Sequence, residues 1–194
     1  MNNVMKNIAT LLFMSVISSA SALAAVNGSE TTATSTRVSV TWSDVNKFTD
    51  VRPTLQNRKS YQSHVITAFN AHWGRLADKL PQGYNLHVEM LDIDLAGDVN
   101  PLFNAQQSDI RVVTENYFPR VTFNYKVLDA SQNIVLSGDN VKVKDMSFLN
   151  NTSRRGAQFG MPANFRNGSE FSYDFAMLSN WFKKTVYTPL TATH

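Results

Sequence analysis

Four aspartates lie close together in the chain, and their carboxylates could bind a cation or exchange protons: Asp92, Asp94, Asp98 and Asp109. Side chains two residues apart share one face of a strand, so Asp92 and Asp94 would point the same way. Gly97 would let the chain turn and bring Asp98 back toward them. Hard cations such as calcium bind where several oxygens converge. The spacing makes Asp92, Asp94 and Asp98 candidate ligands of a divalent cation.

Two other interpretations of this acidic cluster stay open. Ile93 lies where a calcium-binding EF-hand loop needs a polar residue, so that template does not match. Paired carboxylates could instead serve a hydrolase as general acid and base. The plainest expectation is structural, because Arg111 and Arg120 flank strand segments near the cluster. We expect these arginines to form ion pairs with Asp92 or Asp94.

Several enzyme classes are excluded by what the sequence lacks. It has no cysteine, which removes thiolate nucleophiles, disulfides and cysteine-ligated metal sites. No Gly-x-Ser-x-Gly, His-Glu-x-x-His, phosphate-loop or dinucleotide-binding motif occurs. Among the four histidines, His72 falls inside the apolar stripe of a predicted helix, which favours a core residue over a metal ligand. We therefore expect no cofactor.

Composition and charge bound the class of protein. The chain has 194 residues, of which 43% are hydrophobic and 17% charged, so it can build a core and is not intrinsically disordered. Removing the segment 1–24 takes away one of the 18 basic residues, Lys6, and none of the 15 acidic ones, which leaves a net charge of +2. Such a small charge gives no reason to expect a nucleic-acid partner.

The segment 1–24 is predicted to be a secretory signal peptide. Lys6 precedes an apolar run at residues 8–17 that is too short to span a membrane. The small-residue sequence Ala22-Leu23-Ala24 predicts cleavage before Ala25, with cleavage after Ala22 as the second choice. An uncleaved membrane anchor is the alternative. No cysteine follows the run, so a lipoprotein is excluded, and no later segment is apolar enough to cross a membrane.

Hydrophobic periodicity predicts one α+β domain over residues 37–190, after a flexible leader of small residues at 25–36. Alternating apolar residues predict strands, and apolar residues three and four apart predict two helices, in the order β-α-β-(β)-β-β-α. The strands are predicted near 38–42, 86–94, 110–113, 121–127 and 134–143, and the helices near 56–80 and 169–187. A long loop at 145–169 shows no clear period.

The order of these elements predicts the architecture. One helix between the first two strands favours a parallel pair joined by a crossover, whereas the later strands are connected as hairpins. We expect a two-layer sandwich, with one mixed, mostly antiparallel sheet of four to five strands and both helices on one face. Gly138, Asp139 and Asn140 interrupt the last strand, which favours a bulge there.

A set of short runs occurs in a fixed order along the chain: Phe48–Arg52, Leu80–Gly83, Asp92–Gly97, Asp109–Val112, Phe118–Val121, Asp145–Met146 and Tyr173–Phe182. Together they resemble a family of exported bacterial proteins known as domain of unknown function 3016. The resemblance implies a bacterial, periplasmic protein, and it implies no particular activity. It directs attention to the polar residues inside the runs, which form the candidate site: Asp50, Arg52, Asp92, Asp94, Asp109, Arg111, Arg120 and Asp145.

Three functions are compatible with these patterns. The leading hypothesis is a non-catalytic periplasmic binding or accessory module that recognises a protein or another component of the cell envelope. The second is a hydrolase or divalent-cation-binding protein that uses Asp92, Asp94 and Asp109. The third is a structural subunit of an envelope complex, which would need a large exposed apolar patch. The patterns specify no individual partner and no oligomeric state.

Overall fold

A computed structural model describes residues 33–35, 37–53, 57–99, 111–150, 159–160 and 170–192. The strands in chain order are β1 (Ala33–Ser35), β2 (Val38–Trp42), β3 (Asn85–Asp94), β4 (Asp98–Val99), β5 (Arg111–Val112), β6 (Arg120–Leu128) and β7 (Ile134–Lys144). The helices are α1 (Arg58–Ala77), α2 (Ser172–Phe182) and α3 (Thr188–Ala192), with a 3-10 helix at Val45–Lys47 and a π-helical turn at Lys183–Tyr187. The predicted signal peptide and most of the predicted leader and long loop lie outside the described residues.

Strands β1, β2, β3, β6 and β7 form one mixed sheet, in that order. β2 and β3 are parallel and are connected through α1, whereas the other neighbouring pairs are antiparallel. This arrangement confirms the predicted α+β fold. Ala33–Ser35, which the sequence pattern assigned to the leader, pairs with β2, so the sheet begins before the predicted start at residue 37. β4 and β5 form a separate small sheet, and β4 was not predicted.

Both α1 and α2 cover the same face of the sheet, as predicted. Trp73 of α1 and Trp181 of α2 make edge-to-face contacts with Phe123 of β6, at ring distances of 5.2 and 4.8 Å. Phe69 of α1 contacts Phe175 of α2 at 5.2 Å. Such aromatic pairs contribute about 0.5–1.5 kcal/mol each beyond the apolar area they bury. The core therefore lies between this face and the two helices.

An irregularity in β3 decides which way its aspartates face. Val88 and Met90 are buried in the core, and the pairing with β6 shifts its register between Met90 and Asp92. The extra residue reverses the alternation, so Ile93 is buried and Asp92 turns to the face without α1 and α2. If the same residues continued the regular alternation, Asp92 and Asp94 would point into the hydrophobic core.

The interruption predicted in the last strand is confirmed. Phe123 pairs with Val141 and Tyr125 pairs with Gly138, so β7 has one more residue than β6 between these two pairs. Asn140 within the bulge has a left-handed φ of 51°. A Cβ on Gly138 would lie 2.6 Å from the Tyr125 ring, so the aromatic side chain lies directly against the backbone of β7.

Local chemistry sets the ends of the helices. Asn57 caps α1, because its side chain accepts a hydrogen bond from Ser60 N at 3.2 Å. α1 ends at Ala77, three residues before the predicted end, while α2 starts at Ser172 and continues through the π-helical turn into α3. The helical segment thus extends beyond the predicted end at 187. None of the helices in the described ranges has both the length and the apolar character needed to cross a membrane.

Gly97 turns the chain from β3 into β4 with a φ of +83°. A Cβ there would lie 2.7 Å from the backbone oxygen of Val112 in β5. We expect Gly97→Ala to lower the free energy of unfolding by about 2–4 kcal/mol, because the left-handed φ and the contact with backbone both disfavour a side chain. Chemical denaturation of the purified protein measures this loss.

Gly74 provides the matched control, because it lies inside α1 with open space where a Cβ would be. Gly74→Ala should raise the free energy of unfolding by about 0.5–1 kcal/mol, since alanine has the higher helix propensity. If Gly97→Ala proved as stable as the parent protein, the described contact between the turn and β5 would be wrong.

Candidate functional site

Four polar residues from distant parts of the chain meet beside the small sheet. Asp50 lies in the loop after the 3-10 helix, Tyr61 in the first turn of α1, Arg111 at the start of β5, and Asp174 in the first turn of α2. The Arg111 guanidinium contacts Asp50, and its charge also acts on Tyr61 and Asp174. We call these four residues the Asp50–Arg111 cluster.

The centre of the Asp50–Arg111 cluster is a two-point ion pair. Arg111 Nη1 donates to Asp50 Oδ2 at 2.6 Å, and Nη2 donates to Oδ1 at 3.2 Å. Nη1 also donates to Gly97 O at 2.7 Å. A planar guanidinium matches both oxygens of a carboxylate, which a lysine could not do. One side chain therefore links the Asp50 loop to the turn before β4.

Backbone contacts place the two partners of the ion pair. Asp50 N donates to Ile93 O at 3.0 Å, which fixes the loop along the edge of β3. The loop is also anchored by Phe48, which is buried and stacks on Trp42 at a ring distance of 6.0 Å. Arg111 is positioned from the other side by the antiparallel pairing of β4 with β5.

Burial acts on both charges of the ion pair. Burial raises the pKa of the Asp50 carboxyl by more than Arg111 lowers it, and the Asp94 and Asp98 carboxylates raise it a little further. For Arg111, burial lowers the pKa, but the contacts with Asp50 and Tyr61 outweigh burial, so the pKa is raised overall. Arg111 is therefore charged throughout the physiological range of pH.

Asp174 is the most deeply buried acid of the cluster. It is 2% exposed, and its carboxyl accepts a hydrogen bond from Ala96 N at 3.2 Å. Burial raises its pKa to about 7, while the bond from Ala96 and the charge of Arg111 lower it by less. The carboxyl therefore exchanges its proton near neutral pH, although it lies inside the protein.

The chemistry of the cluster is that of a clamp. Burial raises the pKa of Tyr61, so its hydroxyl stays protonated at neutral pH beside the Arg111 guanidinium. The oxygens of Asp50 are directed at Arg111, and Asp174 binds a backbone N–H. These contacts are made between protein groups, and they hold a loop, two helices and the small sheet together.

Comparison with known proteins supports the resemblance seen in the sequence. Three of the four clustered residues, Asp50, Arg111 and Asp174, lie in the runs that carry it. Residues 36–184 match the family described as protein of unknown function (DUF3016). The chain belongs to the DUF3016 family. No curated protein and no solved structure matches it.

Two predicted site residues, Asp92 and Asp94, have their contacts outside the Asp50–Arg111 cluster. Asp92 accepts hydrogen bonds from Thr49 N at 2.7 Å and Thr49 Oγ1 at 2.8 Å. Asp94 forms an ion pair with Arg120, whose Nε donates at 2.7 Å. The expected pairing of Arg120 is thus confirmed. The expectation for Arg111 was wrong, because β5 belongs to the small sheet and is not a neighbour of β3.

The remaining predicted site residues are also separate from the cluster. Arg52 Nη2 donates to Asn46 O at 2.9 Å, and Asp145 Oδ1 accepts from Ser147 N at 3.0 Å. Asp109 lies outside the described residues. Of the eight predicted residues, the structure therefore brings Asp50 and Arg111 together in the Asp50–Arg111 cluster.

The structure also locates the residues considered as cation ligands. Asp98 lies exposed on β4 of the small sheet. Asp92 contacts Thr49 and Asp94 contacts Arg120, on the face of the main sheet without α1 and α2. Within the described ranges, no three His, Cys, Asp or Glu side chains are grouped closely enough to hold a metal ion.

The sequence patterns did not predict Tyr61 and Asp174 as members of the Asp50–Arg111 cluster. Asp174 lies between Phe171 and Phe175, on the apolar stripe of α2. A carboxyl at such a core position was the available signal, because an unpaired charge there is costly. Tyr61 is an ordinary member of the stripe of α1, so nothing in the sequence distinguished it.

His72 is confirmed as a core residue. It is fully buried, stacks on Phe175 at a ring distance of 4.4 Å, and its Nε2 lies 3.2 Å from Ser179 Oγ. Burial, together with the nearby Arg75 charge, lowers its pKa to about 3. The imidazole is therefore neutral at physiological pH and serves the packing of α1 against α2.

Removing Arg111 should destabilise the fold more than removing Arg120. Arg111→Met leaves the Asp50 carboxylate mostly buried without its cation, and we expect a loss of about 2–4 kcal/mol in the free energy of unfolding. Arg120→Met is the comparison: its partner Asp94 is as shielded as Asp50, at 19% exposed, but the Arg120 side chain is 56% exposed, so its loss opens Asp94 to water and should cost about 1 kcal/mol or less. Urea denaturation at neutral pH measures both, and equal losses would contradict the assignment.

The raised pKa of Asp174 predicts that this residue makes the protein less stable as pH rises. The folded protein keeps the proton up to a pKa of about 7, whereas the unfolded chain releases it near 3.8. The stability contributed by the protonated Asp174 carboxyl is fully present below the pKa of the unfolded chain, and it is lost as pH rises to the pKa of the folded protein. Asp174→Asn does not ionise, so it should gain roughly 2–4 kcal/mol relative to the parent between about pH 5 and pH 8.

Urea denaturation across this pH range measures the effect of Asp174→Asn. Asp139→Asn, which replaces an exposed carboxyl on β7, is the control variant. If the profile of Asp174→Asn ran parallel to that of the parent, Asp174 would be charged in the folded protein and its assignment as a protonated acid would fail.

Proposed function

We propose that this DUF3016 protein is an exported, non-catalytic binding or accessory module of the bacterial cell envelope. Support for export comes from the segment 1–24, in which Lys6 and the apolar run at 8–17 have the pattern of a signal peptide. Cleavage before Ala25 would release the domain into the periplasm. There it would bind a protein partner through the side of the sheet that faces away from α1 and α2.

The groove on that side of the sheet carries the proposal. It has a volume of about 440 Å³ and crosses β2, β3 and β6. The side chains that alternate outward along these strands line it, and the surface they form is called the open face: Ser39, Thr41, His87, Glu89, Asn124 and Lys126. In the described part of the chain, α1 and α2 pack on the opposite side.

The open face has the chemistry of a recognition surface. Asn124 Nδ2 donates to Glu89 Oε2 at 2.8 Å, and Asn124 Oδ1 accepts from Asn140 N at 2.6 Å, so the amide has a fixed orientation. Exposed His87 and Lys126 lie beside these groups, so the surface presents hydrogen-bond donors and acceptors as well as a positive and a negative side chain. Mixed polar groups on a groove suit the hydrogen-bonded contacts of a protein–protein interface.

The other two hypotheses gain less from the described residues. The hydrolase interpretation relies on Asp92 and Asp94, which contact Thr49 and Arg120, and on Asp109, which lies outside the described residues. A structural subunit would need a large apolar docking surface, whereas the six side chains that define the open face are polar, with Leu128 and Ile134 adding apolar area beside them. The binding module is therefore the function we favour.

Photo-crosslinking in living cells tests the proposed function. A photoreactive residue in place of Lys126, on the open face, should form a covalent adduct with an envelope protein in the periplasmic fraction. The matched control replaces Lys79, which is also exposed but follows α1 on the other side of the sheet, and should form no such adduct. The mass of the recovered protein should correspond to a chain that begins at Ala25.

The outcomes separate the two parts of the proposal. Equal adducts from both positions, or none from Lys126, would remove the open face as the binding surface. A cytoplasmic protein that keeps the segment 1–24 would remove the assignment to the envelope.

A further inference from the structure

The outer edge of β7 is a second surface with a distinct chemistry. β7 is the last strand of the sheet, and no other described strand pairs with its outer edge. Asp145 N, just after β7, donates to Pro119 O at 3.2 Å and therefore points toward β6. Backbone N–H groups alternate in direction along an antiparallel strand, so those of Lys142 and Lys144 point away from the sheet.

A pocket of about 260 Å³ lies between this edge and α2. Met177, which is buried, and Trp181 form its apolar wall. The Trp181 ring is held by edge-to-face contacts with Phe123 and Tyr125 at ring distances of 4.8 and 5.1 Å. The pocket therefore offers a fixed aromatic surface directly beside backbone groups with which no described strand pairs.

Two lysines line this pocket, one on each side. Lys144 on the strand side and Lys184 on the helix side both line it and are exposed. Lys184 belongs to the π-helical turn, a rare feature that often occurs at functional sites. Asp145 is the acidic residue among the lining residues, and its Oδ1 accepts from Ser147 N. The excess of positive charge favours an acidic occupant.

We propose that the edge of β7 binds an extended acidic segment of a partner protein as an added strand, with an apolar side chain of that segment against Trp181. Added strands pair through their backbone, and neighbouring pockets read every second side chain. The bulge around Gly138 limits the regular edge to residues 141–145, so the paired segment is about five residues long. This surface is separate from the open face, and either can fail without the other.

A synthetic probe measures binding at this edge. The probe is the peptide acetyl-Glu-Val-Glu-Leu-Glu-amide, titrated calorimetrically into the mature protein, and its control carries lysine in place of each glutamate. The acidic probe should bind at least about tenfold more tightly than the control, and added salt should reduce the difference.

Two changes at one residue separate backbone pairing from charge. Lys144→Pro removes an outward N–H while leaving the pairing with β6 intact, because proline is tolerated where an edge strand faces solvent. Lys144→Gln keeps that N–H and removes only the charge. Affinity for the acidic probe should fall at least about tenfold in the proline variant and about two- to threefold in the glutamine variant.

A modified probe tests the same hydrogen bonds without altering the protein. Because only every second N–H of a strand faces its partner, the nitrogen of the central glutamate is methylated in one peptide and that of the adjacent leucine in another, and the methyl group that faces β7 should weaken binding about tenfold. The proposal is overturned if the acidic probe shows no saturable binding at about 1 mM, if the lysine control binds equally well, or if neither methylation has an effect. Lys126→Glu on the open face should leave the affinity unchanged, which distinguishes this site from that of the proposed function.

Discussion

The two-point contact between Arg111 and Asp50 is the interaction on which the arrangement of the polar interior depends. Each partner would be costly to bury alone, so the loop that carries Asp50 and the small sheet that carries Arg111 have to assemble together. The hydrogen bond to Gly97 O adds the turn after β3 to the same assembly. Asp174 completes it from α2 by accepting from Ala96 N. The mostly buried Arg111 guanidinium thus joins the Asp50 loop to the turn after β3, two segments that do not pair as strands.

The sheet and both main helices could be predicted from the sequence, because burying one face imposes a period of two on strands and of 3.6 on helices. β1 and β4 were missed because Ala33–Ser35 consists of small and polar residues and Asp98–Val99 has a single apolar residue, so neither shows an apolar alternation. The family resemblance placed Asp50 and Arg111 in one set of residues. Periodicity cannot say which charges become partners across a fold, and this is why Arg111 was assigned to the wrong aspartates.

The surfaces proposed for binding lie apart from the contacts that stabilise the fold. Aromatic contacts from α1 and α2 occupy one face of the sheet, and the charged clamp lies beside the small sheet at the end of β3. The two proposed binding surfaces lie elsewhere: the open face carries hydroxyl and amide groups, and the outer edge of β7 carries lysines and Trp181. A partner could engage either surface without disturbing the core.

The extra residue in β3 makes the strand tolerant of a change in length at one point. Up to Met90 the even-numbered side chains are buried, whereas beyond the bulge Ile93 is buried. A chain that lacked Leu91 would have an unbroken alternation, in which Ile93 stays in the core and Asp92 stays outside. Loss of Val88 would instead bring the carboxylate of Glu89 to a position that faces the core. Gain or loss of one residue during the evolution of this strand should therefore be confined to the bulge.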